Sequence, residues 1–406
     1  MKTFFSAFIW SPFGLAALFF FLGPEVPGWA DMSPPLPPQI PAGFADANGT
    51  LGFFAKDGGG IEAVVLENGE RVWTVQSGSW PLFTRYSWLA VAARDEERKD
   101  ALRIRFLKPA DGTLLAESFP ITFSGWGNFG PEGQGGESGI AWGTRQGYFH
   151  LEAWAPRPQR PGPRASRRAG YLQLRWKAQP MVILGIAPSF PLGPPVTGRV
   201  WVDPCTGKVE RGRVNPDEPF GVAPPKLPKD WKRGKDSLYW NWSDHGAAWS
   251  DKPRPFWIAG GVAGYFCRET QAPFRLRLCR WRPLEPLRPV DIPESGECAP
   301  LLALDGRHAV LAGTKDGKNH YRLLDLYFAA QPGAAVELPP FEEGVTWKFS
   351  VLGNQLLYVT EVKKPTAGGG TAVERTLVSL DWKQGQVRWR HKLAPRYEDP
   401  PVAGLR

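Results

Sequence analysis

The sequence predicts an all-β protein, a β-propeller of six to eight four-stranded blades with seven favoured, and three observations carry that prediction. The composition holds Trp 19, Phe 24, Pro 42 and Gly 46 against Met 3, which suits strands packed by aromatic area and punctuated by turns. A strand–turn–strand segment recurs along the chain. Its turn glycines fall at intervals that are close to multiples of one unit.

The elements follow in chain order. Met1 and Lys2 precede an apolar run from Phe4 to Leu22, and Gly28 and Ala30 stand three and one positions before a cut ahead of Asp31. A basic start, an apolar stretch and a small-x-small exit form a secretory signal, so residues 1–30 are expected to be a signal peptide. Without it no later segment is apolar enough to span a membrane. The alternative for the run is an uncleaved membrane anchor, which Pro12 and the single preceding Lys disfavour. Residues 31–50 are Pro-rich and predict an extended leader, residues 51–395 the propeller, and residues 396–406 a C-terminal tail.

The repeats are clearest in IEAVVLENGERVWTV (61–75), ALRIRFLKPADGTLLAESFPI (101–121), RVWVDPCTGKVERGRV (199–214) and LVSLDWKQGQVRWRHKL (377–393), with a looser copy at 322–339. Gly69, Gly112, Gly207 and Gly385 each supply the positive φ that a tight hairpin needs, after Asn68, Asp111, Thr206 and Gln384. With Gly333 included, the spacings are 43, 95, 126 and 52 residues, near one, two, three and one blade units. Segments 87–94, 308–315 and 353–362 supply inner-strand candidates ahead of their hairpins. Stretches near 124–139, 156–170, 215–236 and 240–257 are expected to be loop insertions on the faces.

The net charge of +9 is dispersed, and its densest cluster, Pro156 to Arg168, has four prolines and five arginines in an exposed, extended loop. An exported chain with such dispersed charge is not expected to bind nucleic acid. Four cysteines, Cys205, Cys267, Cys279 and Cys298, include no CxxC, and Cys267 with Cys279 is the first candidate for a disulfide. The histidines and cysteines show no metal-ligand spacing, so no metal and no cofactor are expected.

The hairpins resemble the pyrroloquinoline-quinone-like propeller repeat, whose outer half runs apolar strand, Leu-Asp, two residues, Thr-Gly, then a short strand ending in Trp. Leu380-Asp381, Gly385 and Trp389 match it closely; Asp203, Thr206 and Gly207 keep its centre; Gly69 and Trp73 keep its Gly and Trp. The resemblance implies a propeller from the non-catalytic branch. The family's catalytic members carry adjacent cysteines, and no two are adjacent here. It also implies that the tryptophans pack between neighbouring blades.

The densest chemical segment is 238–257, where Trp240, Trp242 and Trp249 accompany Asp244 and His245. Aromatic faces beside a carboxylate suit a sugar ring, and Asp244 with a second carboxylate would suit glycoside hydrolysis. The five histidines show no nucleophile–base partnership, and His391 is expected to face solvent. The reading is therefore an exported, periplasmic or secreted, non-catalytic binding or scaffold protein whose partner is an envelope protein or a polysaccharide. The alternative is a carbohydrate-active hydrolase or a reduced quinoprotein-like oxidoreductase.

Overall fold

The computed structural model describes residues 39–398 with internal stretches left out, the longest being 155–169 and 213–236; in some strands, those between 213 and 300 above all, it describes the backbone alone. The described residues are all-β, with no helix. Their strands fall into six antiparallel sheets, each drawn from one continuous stretch of chain.

The first sheet runs Gln39–Ile40, Gly43–Ala45, Leu51–Ala55, Ile61–Val65 and Arg71–Val75 in sequence order. The second uses Trp80–Thr84, Leu89–Arg94 and Ala101–Leu107, whose outer edge pairs with both Leu114–Glu117 and Ile121–Thr122. The third spans strands from Gln134–Gly136 to Val209–Gly212, and the fourth from Ser237–Ser243 to Val290–Asp291. The fifth and sixth are four-stranded meanders, Ala299–Leu302 to Ala335–Leu338 and Val345–Leu352 to Gln386–Glu398. Strands thus begin at Gln39, inside the stretch expected as a leader, because Pro41-Ala42 makes a tight turn that pairs Ile40 with Gly43. The last strand ends at Glu398, three residues past the expected boundary.

Four of the recurring hairpins share one geometry. In each, the glycine N–H donates to the carbonyl four residues earlier: Gly69 to Val65, Gly112 to Lys108 and Gly207 to Asp203 at 2.8 Å, and Gly385 to Asp381 at 2.7 Å. Their φ values of 77°, 73°, 70° and 70° lie in the left-handed region that costs a side-chain-bearing residue about 1–2 kcal/mol. An acidic or amide side chain braces each turn. Asn68 and Asp111 accept from the N–H two residues on, at 3.0 Å in both cases. Asp203 accepts from the Cys205 N–H and the Thr206 hydroxyl, and Asp381 from the N–H groups of Lys383 and Gln384.

These turns are also where sheets meet. The indole of Trp73, on the first sheet, donates to the Pro109 carbonyl at 2.9 Å and lies over Gly112 of the second. Trp389, on the last sheet, donates to the Leu66 carbonyl at 3.1 Å and lies over Gly69 of the first. A Cβ on Gly69 would come 2.8 Å from the Trp389 ring, and one on Gly112 2.9 Å from that of Trp73. In the third sheet, Gly207 abuts backbone instead: its Cβ would meet the Glu117 carbonyl oxygen at 2.0 Å.

The apolar core follows the same boundaries. Phe53, Ile61 and Ala63 pack with Leu89, Val91 and Leu107 between the first and second sheets. Phe106, Ile121, Phe149, Leu174 and Trp176 fill the second-to-third boundary, and Tyr321, Leu323, Phe349 and Tyr358 the fifth-to-sixth. Phe54, Val64 and Leu66 of the first sheet pack with Leu357, Leu377 and Leu393 of the last. That seam gains two more side-chain hydrogen bonds, Ser350 Oγ to the Gln39 carbonyl at 2.6 Å and Gln355 Nε2 to the Glu67 carbonyl at 3.1 Å.

Candidate functional site

The aromatic segment singled out from sequence is a pair of strands, not a loop. Ser237–Ser243 and Gly246–Ser250 form a hairpin in which Trp240 stands opposite Trp249 and Trp242 opposite Ala247. On its other side Trp240 is paired with Phe266 of Val262–Glu269, so three aromatic positions share one cross-strand row. Asp244 and His245 lie outside the described residues. The alternation in LYWNWS is a strand signal, and the dense polar residues around it hid the pattern.

The same sheet bears on the cysteines. Cys267 is opposite Arg275, and Cys279 is opposite Ala263. The two cysteines are therefore four residues out of register, roughly 13 Å along the strands. A disulfide bridges Cα atoms no more than about 7 Å apart, so this register does not permit the expected pair. Cys205 is an exposed free thiol in the Asp203–Gly207 turn.

A buried polar contact between distant parts of the chain joins His391 of the last sheet to Glu62 of the first. The imidazole Nε2 lies 3.0 Å from Glu62 Oε1, with side chains 13% and 6% exposed. His391 was expected to face solvent; it is instead packed at the seam, its ring centroid 6.0 Å from that of Phe54. Glu62 is opposite Phe54 on one neighbouring strand and Thr74 on the other, and the Thr74 hydroxyl is buried without a hydrogen-bond partner. The pair is 329 residues apart in sequence, so no local signal could have found it.

A second histidine cluster sits at the Leu302–His308 turn of the fifth sheet. His308 Nδ1 is 2.5 Å from Asp305 Oδ2, and its Nε2 is 3.7 Å from Asp325 Oδ2. Arg307 binds the same Asp325 oxygen through two nitrogens, at 3.0 and 2.6 Å. Nδ1 bonds a carboxylate of its own turn and Nε2 lies near a second, so this imidazole pins a turn.

The remaining charged groups also serve turns and edges. Asp95 is held below the ordinary carboxylate value of 3.8: burial opposes its charge, but the Arg103 guanidinium at 2.5 Å and the N–H groups of Arg98 and Glu97 outweigh it. Arg375 is pushed down by burial, with Glu361 opposing and Arg396 adding to the shift. Burial raises the Tyr358 phenol to about 12, as suits a core ring. Among the described residues no three His, Cys, Asp or Glu side chains gather as metal ligands.

Sequence reasoning missed one surface. The outer edge of the second sheet is interrupted at Ser118, whose N–H and hydroxyl both bond the backbone of Ile104 at 2.9 Å. Phe119 is left 75% exposed, beside Leu114 and Leu115 at 48% each, whereas most apolar side chains of the sheet are buried. The signal was present as LLAESFP, a strand whose alternation breaks before a proline.

No family model matches the chain, and no curated protein matches it. Solved structures similar to it include the dihydro-heme d1 dehydrogenase NirN in complex with DHE, at 12% identity over 88% of this chain and 66% of that one, with a TM-score of 0.25. The β-propeller domain of Myceliophteria thermophila Cps50 (Swd1) is 13% identical over 87% of both chains, TM-score 0.26. The Neurospora crassa Pan2 WD40 domain is 8% identical over 79% of this chain and 86% of that one, TM-score 0.33. Superpositions this distant carry no argument about fold or activity.

Proposed function

We propose that the six sheets are the blades of a closed propeller, and that the chain is an exported, non-catalytic scaffold holding an envelope protein on that ring. The observation that carries this reading is the docking of Trp389 on Gly69 and the Leu66 carbonyl. It repeats, between the last sheet and the first, the fit that Trp73 makes on Gly112 between the first and second. A ring closed on itself holds its loops at fixed positions, and recognition is expected on loops carried by a rigid scaffold. The exposed Phe119 adds an aromatic side chain of the kind that protein partners bury.

The test is the native mass of the full chain released gently from its own cell envelope. A second polypeptide retained at stoichiometric amount is the expected result. A bare chain that hydrolyses glycosides, or that oxidises alcohols after quinone reconstitution, would overturn the scaffold reading in favour of an enzyme. Cleavage ahead of Asp31 is expected in the same material if residues 1–30 are a cleaved signal.

A further inference from the structure

We propose that Asn48 is a site of asparagine-linked glycosylation. The inference rests on the reading that the chain is exported. The stretch Asp46-Ala47-Asn48-Gly49-Thr50 is an Asn-x-Thr acceptor sequence, and the chain holds one other, Asn241-Trp242-Ser243. The fold separates the two. Asn48 and Thr50 are both exposed, in the turn between the strands Gly43–Ala45 and Leu51–Ala55. Asn241 stands within a strand, paired opposite Ala248.

The turn does not need the Asn48 side chain. Asp46 organises it: its Oδ1 accepts from the N–H of Thr50 at 2.6 Å and of Leu51 at 2.9 Å, and its carbonyl accepts from the Gly49 N–H at 3.0 Å. The Asn48 amide has no hydrogen-bond partner among the described residues, so a sugar on its nitrogen displaces nothing. The turn also lies beside the seam, since a Cβ on Gly49 would be 3.7 Å from Leu352 of the last sheet. A glycan there would stand at the rim where the first and last sheets meet.

The donor is a lipid-diphosphate-linked oligosaccharide, which a transferase draws on after export, reaching the exposed turn of the folded chain. Asn48 Nδ2 attacks the anomeric carbon, the N–C bond forms, and the bond from that carbon to the diphosphate oxygen breaks. The lipid diphosphate leaves, and one amide proton passes to a base of the transferase. Nothing is oxidised or reduced.

One tryptic peptide tests both this and the export on which it depends. No Lys or Arg lies between Asp31 and Lys56, so a processed chain yields the peptide 31–56 and an unprocessed one 3–56. From the full chain isolated from its own envelope, the expected product is 31–56 bearing a hexose-series mass on Asn48. The modification should vanish in Asn48→Gln and Thr50→Ala, persist in Thr50→Ser, and be missing from the peptide 236–268 that holds Asn241, Pro253 and Pro255 blocking cleavage after Lys252 and Arg254. Peptide 31–56 without added mass overturns the site while leaving export standing. Peptide 3–56 without added mass overturns the site and shows that the N-terminal segment is kept rather than cleaved.

Discussion

Trp389 and Gly69 offer a direct measure of how the first and last sheets are fastened. Trp389→Ala removes a ring that is 8% exposed, and such truncations cost about 3–5 kcal/mol. Gly69→Ala acts through two separate terms. The residue keeps a φ of 77°, which costs an alanine about 1–2 kcal/mol wherever its methyl points. The methyl also lands 2.8 Å from the Trp389 ring, and forcing atoms into a filled space costs roughly 1–3 kcal/mol more. With the ring gone, only the backbone term survives. The double variant should therefore be more stable than the sum of the singles by about 1–3 kcal/mol. Equilibrium urea unfolding of the four proteins of the cycle reads this directly. Gly112→Ala with Trp73→Ala should couple less, because Val75 Cγ1 lies 2.8 Å from the same Cβ and stays in place, whereas the crossed pair Gly69→Ala with Trp73→Ala should add. Additivity of the Gly69 and Trp389 changes to within about 0.5 kcal/mol would refute the docking account.

Further outcomes are expected elsewhere. Ala42 has a φ of 66° at the first turn, so Ala42→Gly should gain about 0.5 kcal/mol, the relieved strain exceeding the lost methyl contact, and Ala42→Val should lose stability in the same urea assay. Asp381 is held below 3.8 by the Arg388 guanidinium, then by the Gln384 and Lys383 N–H groups. Its contribution is present above the unfolded value and is lost as pH falls through the lower folded one, so Asp381→Asn should flatten the loss of stability on acidification below about pH 5. Non-reducing peptide mapping should recover no bridge between Cys267 and Cys279; finding one would mean that the register of that sheet is wrong. Removing the imidazole in His391→Ala leaves the Glu62 carboxylate buried without its partner and should cost roughly 1–3 kcal/mol, read as a lowered urea midpoint.

What could be read from the sequence was local. The glycines at 69, 112, 207 and 385 were legible because a positive φ leaves few alternatives to glycine, and each closes the same turn. Strand segments such as His308–Lys315 were legible from their apolar runs. The aromatic hairpin at 237–250 was missed because its strand alternation is carried by Trp, Tyr and Asn rather than by aliphatic residues. The prolines of 31–50 suggested an extended leader, yet Pro41 occupies a turn position that its fixed φ favours. The partners at the seam, 62 with 391 and 66 with 389, were out of reach because contact between the chain's two ends leaves no mark on either end alone. For the same reason, the glycine beneath each tryptophan could be named from sequence only as a turn residue.

The seam has a temporal consequence. The chain itself joins each sheet to the one that follows, but among the described residues the last sheet is joined to the first by side-chain contacts spanning 288 to 329 residues. A chain emerging from its N-terminus therefore forms its receiving turn at 66–69 long before the tryptophan that fills it exists. Until residue 389 arrives, Phe54, Val64 and Leu66 have no partner sheet and present an apolar face to whatever is near. Contacts of such sequence separation are slow to find, because the entropy of closing so large a loop is lost before any contact repays it. The interval between making the first sheet and closing on the last is thus the period in which this chain is most exposed to aggregation, and in which a chaperone would act on it.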